Sequence, residues 1–165
     1  DYDFTVEEIK AQEIEKITVS STKIRNSINE GDIKTTEKYL GRYFNLTGKV
    51  VKGDGLGKKI NYPTANIFIE ETYKIIPKDG VYLIETIIKD KLFNGMMNIG
   101  HRPTIGTNIK SIEVHLFNFN EDIYDQVISV KMISKIRDEK KFSSIKALQE
   151  QLVKDEIYCL KLINK

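Results

Sequence analysis

The run Val81-Tyr82-Leu83-Ile84-Glu85-Thr86-Ile87-Ile88, the tripeptide Lys89-Asp90-Lys91, and the run Phe93-Asn94-Gly95-Met96-Met97-Asn98-Ile99 decide the fold. The flanking runs are rich in β-branched and aromatic residues, and the charged tripeptide is too short to hold a crossover helix. They therefore read as two neighbouring antiparallel strands joined by a turn.

The same grammar extends in both directions. Upstream, Leu46 to Val51 reads as a strand, and Ala65 to Ile69 is extended after Pro63. Downstream, Ile112 to Phe119 alternates, and Val127 to Ile136 is a long strand with Val127, Ser129, Lys131 and Ile133 on one face. About six strands at short spacing, without long helices between them, predict a mainly β protein built on a six-stranded antiparallel, Greek-key-like barrel. Ser143 reads as the cap of a closing helix whose Ile145, Leu148, Leu152, Val153, Ile157 and Leu160 would form one apolar stripe.

Residues 1–42 differ from the rest. Phe4 to Ile17 is charged and loosely alternating, a marginal strand or hairpin. Ser20-Ser21-Thr22 suits a helix N-cap, with Ile24 and Ile28 one turn apart and Gly31 as the stop; Asp32 caps a second short helix ending at Gly41. These pieces carry little apolar material and need something to pack against.

Composition bounds the function. A chain of 165 residues supports one core-bearing domain. Its 40% hydrophobic and 30% charged residues are those of a soluble globular protein, and no run nears the roughly 18 apolar residues of a spanning helix. Twenty-six basic against 24 acidic side chains give no mark of a nucleic-acid partner. The single cysteine, Cys159, cannot form an internal disulfide and suits a reducing, cytoplasmic setting. With two histidines beside it, a Cys/His zinc cluster is excluded.

Three segments could carry chemistry. Gly53-Asp54-Gly55-Leu56-Gly57-Lys58-Lys59 could bring main-chain N–H groups and a lysine to an anion, or be a flexible hairpin loop. It is no Walker A loop, having three residues between Gly53 and Gly57 and Lys59 after Lys58. It also misses the dinucleotide pattern, because its third glycine comes one residue early and no helix is expected after it. In Tyr62-Pro63-Thr64-Ala65-Asn66, the extended backbone set by Pro63 points Thr64 and Asn66 the same way. A hydroxyl and a carboxamide so placed could hold Mg²⁺ beside nucleotide phosphates, or be ordinary strand-edge residues. In Ser111-Ile112-Glu113-Val114-His115-Leu116-Phe117, alternation puts Glu113 and His115 opposite the apolar face. That is a strand-anchored candidate general base, or a solvent-facing pair. Asn98-Ile99-Gly100-His101-Arg102-Pro103-Thr104 reads as a strand end running into a Gly- and Pro-rich loop.

Taken in order, Gly53…Gly57-Lys58…Pro63-Thr64-Ala65-Asn66, Gly80-Val81-Tyr82, Asn98-Ile99-Gly100…Arg102-Pro103-Thr104, Glu113, Tyr124 and Arg137…Phe142 resemble riboflavin kinase over roughly residues 43 to 162. Val19-Ser20-Ser21-Thr22-Lys23-Ile24-Arg25 is similar to the last motif of the FMN adenylyltransferase domain that precedes the kinase in bacterial bifunctional FAD synthetases. The resemblance implies a kinase domain over residues 43–165. Residues 1–42 would be a short α/β remnant of the adenylyltransferase domain with its linker, and the chain would be the C-terminal portion of the longer enzyme. It implies riboflavin and ATP as substrates, FMN and ADP as products, Mg²⁺ as cofactor, and that neighbouring domain as partner, with no nucleic acid and no membrane. It further implies Glu113 as general base and Thr64 and Asn66 at Mg²⁺ and nucleotide. Gly53, Gly55, Gly57, Lys58 and Tyr124 would lie at ATP, Arg137 and Phe142 at the flavin, and Ser20, Ser21, Thr22 and Arg25 in the adenylyltransferase motif. Two positions depart from the family: Lys58 stands where arginine is usual, keeping the charge without its bidentate geometry, and Asn61-Tyr62 stands where Gly-Phe is usual. A non-catalytic barrel binding nucleic acid or protein is the alternative, and it would want exposed aromatics beside a basic stripe. The chain has no tryptophan and interleaves its charges.

Overall fold

The computed structural model describes residues 13–14, 17–53, 55–104 and 107–164. A minimal hairpin, β1 (Glu13–Ile14) and β2 (Ile17–Thr18), leads into helices α1 (Ser21–Glu30) and α2 (Ile33–Leu40). Most of the alternating stretch expected from Phe4 onward lies outside the described residues. The main body follows: β3 (Asn45–Val51), a single helical turn α3 (Leu56–Lys59), β4 (Ala65–Phe68), β5 (Gly80–Ile88), β6 (Lys91–Thr104), β7 (Thr107–Leu116), β8 (Val127–Arg137) and α4 (Ile145–Ile163).

Strands β3 to β8 close into a barrel in the order β3-β4-β7-β6-β5-β8, with every neighbouring pair antiparallel. The six-stranded barrel with a C-terminal helix is the architecture the strand spacing predicted. Its β5–β6 hairpin turns through Lys89 and Asp90, both at positive φ (49° and 62°), between the paired Ile88 and Lys91. Two positive φ values match the right-handed twist of the flanking strands.

Alternation sorts the side chains into two apolar clusters. Leu46, Val50, Tyr82, Ile84, Met97, Val114, Val130 and Met132 fill the barrel interior. Val81, Leu83, Met96 and Phe117 point outward, where Cys159 of α4 joins them in a second cluster. The helix thus covers one flank of the barrel.

Helices α1 and α2 are held by the caps their sequence predicts. Ser20 accepts from the Lys23 N–H, Asp32 from the Thr35 N–H, and Gly31 and Gly41 end the helices in left-handed geometry. The packing partner they lacked in sequence is the barrel itself: Ile33, 2% exposed, belongs to the interior cluster with Leu46 and Tyr82. Between the helices the buried Thr36 hydroxyl lies 2.7 Å from the Asp32 carbonyl and 2.9 Å from Ser27 Oγ, the two acceptors within reach of its one proton.

Four local readings are corrected. The strand expected to end at Ile99 continues to Thr104, and its partner begins at Thr107 rather than Ile112 and stops at Leu116. Beyond Ile99, β6 has left β5 behind and, among the described residues, pairs with β7 alone; a strand edge without a second partner accepts Pro103, which has no N–H to donate. A helical turn does follow the glycines, at Leu56–Lys59. The cap of α4 is Ser144, which accepts from the Ala147 N–H at 3.1 Å, not Ser143. The apolar stripe expected on α4 is also not the buried one: Ile145, Val153, Ile157 and Leu160 are exposed, while Asp155 and Cys159 are buried and Leu148 and Leu152 half-buried. The face turned to the barrel carries Leu152, Cys159 and Leu162, which pack with Val81, Leu83, Met96 and Phe117, and Asp155, which meets Arg137.

Candidate active site

The site forms on the outer face of the barrel, where β4, β7 and β6 run side by side. Asn66 of β4 is the register partner of Glu113 of β7, which is in turn the register partner of Asn98 of β6. Because side chains alternate, Ile112, Val114 and Leu116 enter the interior and leave Glu113 half-buried on the outer face. The Thr64 hydroxyl, just before β4, donates to Glu113 Oε2 at 3.3 Å. Alternation along β4 likewise turns Ala65 and Ile67 to the interior and leaves Thr64 and Asn66 outside.

The glycine turn packs directly on these residues. A Cβ at Gly53 would overlap the Asn66 amide, and one at Gly57 would overlap the Tyr62 carbonyl. At Gly57 the obstacle is backbone, so that position requires glycine for close approach; at Gly53 it is the end of the Asn66 side chain, which a larger residue would displace. Gly57 accepts from the N–H groups of Ile60 and Tyr62, at 3.2 and 2.8 Å, which folds the turn back onto the strand.

Two cavities meet at Thr64, which lines both. The first, about 310 Å³, is bounded by Lys58, Pro63, Phe119, Asp122 and Tyr124. The second, about 270 Å³, is bounded by Gly57, Tyr62, Glu113, His115, Arg137 and Phe142, with Leu148 and Leu152 of α4 closing it. Each is near the lower end of the roughly 300–1,000 Å³ of small-molecule sites. Two cavities that adjoin at Thr64, with the Glu113 carboxylate on the wall of the second and bonded to that threonine, suit a reaction that joins parts of two bound molecules.

Arg137 is held rigidly. Its Nε and Nη2 donate to both oxygens of Asp155, at 2.7 to 3.1 Å, while Gln151 donates to Asp155 Oδ1 at 2.7 Å. Asp155 is 3% exposed, so its charge is balanced almost wholly by these donors. The guanidinium carbon lies 5.8 Å from the Phe142 ring centroid. On the opposite wall, His115 Nδ1 lies 2.8 Å from the Pro63 carbonyl. A carbonyl only accepts, so Nδ1 carries the proton.

Of the residues singled out from sequence, Glu113, Thr64, Asn66, Gly53, Gly57, Arg137 and Phe142 come together on this face, with Lys58 and Tyr124 around the adjoining cavity. Gly55 caps the helical turn between them. Ser20, Ser21, Thr22 and Arg25 do not join them: they lie at the N-cap and in the first two turns of α1 and line neither cavity. Sequence reasoning missed Asp155, Gln151, Glu156 and Tyr62. An acidic residue in register with Leu148, Leu152 and Cys159 is the signal that could have found Asp155, since a charge on a buried helical face needs a partner.

Comparison with known proteins supplies the context. The model of the family described as "Flavokinase: Riboflavin kinase" matches residues 40–163. A bifunctional riboflavin kinase/FMN adenylyltransferase of Bacillus subtilis is 37% identical over 151 residues, 87% of this chain and 48% of its own length. The chain thus spans about half the length of the curated relatives it matches. Among solved structures, that of a macrolide-efflux protein from Streptococcus pneumoniae aligns with a TM-score of 0.82 at 36% identity, over 90% of this chain and 48% of that one. Riboflavin kinase from Trypanosoma brucei shares the fold, with a TM-score of 0.51 at 23% identity, over 73% of this chain and 80% of that one.

Proposed function

The chain belongs to the riboflavin kinase family, and from that premise we propose that it transfers the γ-phosphoryl group of ATP to the 5′-hydroxyl of riboflavin, giving FMN and ADP. The observation that carries the reading is the position of Glu113, on the second cavity and within hydrogen-bond reach of Thr64, where the two cavities join. Phosphoryl transfer asks a protein for alignment and charge balance more than for covalent chemistry.

The first cavity is assigned to ATP. Lys58 and Tyr124 bound it, and the turn bearing Gly53, Gly55 and Gly57, which carries Lys58 into this cavity and borders the second one at Gly57, is assigned to the phosphates. The second is assigned to riboflavin, with Arg137 and Phe142 on the flavin side. Glu113 accepts the proton of the 5′-hydroxyl as that oxygen attacks the phosphorus; the ADP oxygen leaves with the bond's electron pair.

Mg²⁺ fits the donors present. Among the described residues no group of three His, Cys, Asp or Glu side chains could hold a metal ion. A cation here would take neutral oxygens from Thr64 and Asn66 and the rest from phosphates and water, the habit of a hard cation that keeps its hydration. When bound, it would neutralise charge on the phosphates. The chain's own residues supply the rest: Thr64 and Glu113 orient each other, and the glycine turn packs against Asn66.

The relatives' second activity, FMN adenylylation, is assigned to the longer enzyme. Residues 1–42 are read as the end of that domain and 43–165 as the kinase. Among the described residues, Ser20, Ser21, Thr22 and Arg25 line neither of the two cavities; the adenylylation of FMN is not assigned to this chain, and FMN with ATP is expected to give no FAD. No helix among the described residues is long and apolar enough to cross a membrane, and a cytoplasmic setting is proposed from the single buried thiol. The test is direct: the purified chain with riboflavin, ATP and MgCl₂ should yield FMN by chromatography, and a folded sample that yields none overturns the reading.

A further inference from the structure

Tyr62 is bound at three points to three different parts of the molecule. Its N–H donates to the Gly57 carbonyl at 2.8 Å, within the glycine turn. Its ring lies against His115 of β7, centroids 5.0 Å apart and tilted by 59°. Its hydroxyl reaches α4 and donates to Glu156 Oε2 at 2.8 Å, a bond between residues 94 positions apart. The phenol is protonated at neutral and moderately alkaline pH, because burial and then Glu156 push it up to about 12.

These ties meet at the second cavity. Tyr62, Gly57 and His115 bound one side of it; Leu148 and Leu152, the latter one turn before Glu156, bound the other. The two sides come from segments distant in the chain. Along its length α4 rests on β6 and β8, and the Tyr62 hydroxyl bonds it to the glycine turn as well. Ring packing against His115 does not need that hydroxyl. Its bond to a carboxylate is of the charge-assisted class, roughly twice as strong as a neutral one.

We propose that Tyr62 is a positioning residue whose hydrogen bond to Glu156 holds the glycine turn against the C-terminal helix and so fixes the width of the second cavity. Its consequence for catalysis rests on the kinase reading above: with the strut intact the cavity is shaped for riboflavin before riboflavin arrives, and without it part of the binding energy goes into ordering the two walls.

The test uses Tyr62→Phe, which keeps the ring, and Glu156→Gln, which keeps an acceptor. In the ligand-free chain, hydrogen exchange followed by mass spectrometry should show faster exchange over residues 55–62 in Tyr62→Phe, with the barrel strands unchanged. In steady-state assays the KM for riboflavin should rise roughly tenfold, the size set by a hydrogen bond to a charged group, with kcat within about twofold. Glu156→Gln should fall between the two proteins, because a neutral acceptor retains a weaker bond. An unchanged riboflavin KM in Tyr62→Phe overturns the proposal. So does exchange that rises uniformly across the barrel, which would mean general destabilisation. A wild-type chain that makes no FMN overturns the kinase reading instead, and the local exchange comparison then decides the strut by itself.

Discussion

Thr64 Oγ1 and Glu113 Oε2 lie 3.3 Å apart, although the two residues are separated by 49 positions in the chain. Pairing of β4 with β7 creates this proximity, with Ala65 opposite Val114 and Asn66 opposite Glu113. Removing the carboxylate charge while keeping its shape separates its chemical from its structural role. Glu113→Gln should lower FMN formation by about 10²–10⁴-fold, the usual contribution of a general base, with ATP still bound. Thr64→Ala and Asn66→Ala should instead raise the Mg²⁺ concentration needed for half-maximal rate. Turnover unchanged in Glu113→Gln, or a normal Mg²⁺ dependence in both other variants, would remove these roles.

Asp155 is nearly sealed from water and holds the Nε and Nη2 edge of Arg137, while Nη1 donates to the Asp138 carbonyl at 3.0 Å. Asp155→Ala would leave the guanidinium partly buried without its partner, at a cost of about 3–5 kcal/mol. Urea denaturation should report that loss, with a smaller one for Asp155→Asn, which keeps hydrogen-bonding capacity. A loss under about 1 kcal/mol would mean that water replaces the carboxylate freely.

Ile33 comes from α2 yet sits in the barrel interior. Ile33→Ala should destabilise the barrel by about 2–5 kcal/mol, the range for deleting a buried aliphatic side chain. Thermal or urea unfolding followed by circular dichroism would measure it. An unchanged midpoint would show that the helices unfold separately and that the barrel does not need them.

The Cys159 thiol lies between α4 and the barrel, and burial, with Asp155 and Glu156 nearby, pushes it from its ordinary 9.0 up to about 12. The folded state therefore keeps its proton longer than the unfolded chain does. The stabilisation is fully present below about pH 9 and is lost as pH rises toward about 12. Tyr62 acts in the same sense between its ordinary 10.0 and about 12. Urea midpoints should fall across this window, less steeply in Cys159→Ala. Iodoacetamide at pH 8 should label the native thiol far more slowly than the unfolded one, and equal rates would contradict its burial.

Much of the site could be read from local pattern. Thr64 and Asn66 face the same way because residues two apart in a strand must, and Glu113 stands opposite Val114 for the same reason. The caps at Ser20 and Asp32 and the left-handed ends at Gly31 and Gly41 are equally local, and each formed where its residue type allows it. Local pattern failed at Pro103 and on α4. A proline reads as a strand end unless one knows that the strand has become an edge. The helix carries apolar residues on more than one face, so hydrophobicity alone could not choose which to bury.

What the sequence by itself determined is therefore the set of strands, their in-and-out alternation and the caps, since these depend on backbone geometry over a few residues. Tertiary structure alone decided that β8 would close the barrel by pairing with both β3 and β5. It also decided that Thr64 would meet Glu113, that Tyr62 would reach Glu156, and that α4 would turn Asp155 inward to Arg137. Those choices join residues far apart in the chain. They are made by the shape and charge of the surface each element meets, which no local window of sequence contains.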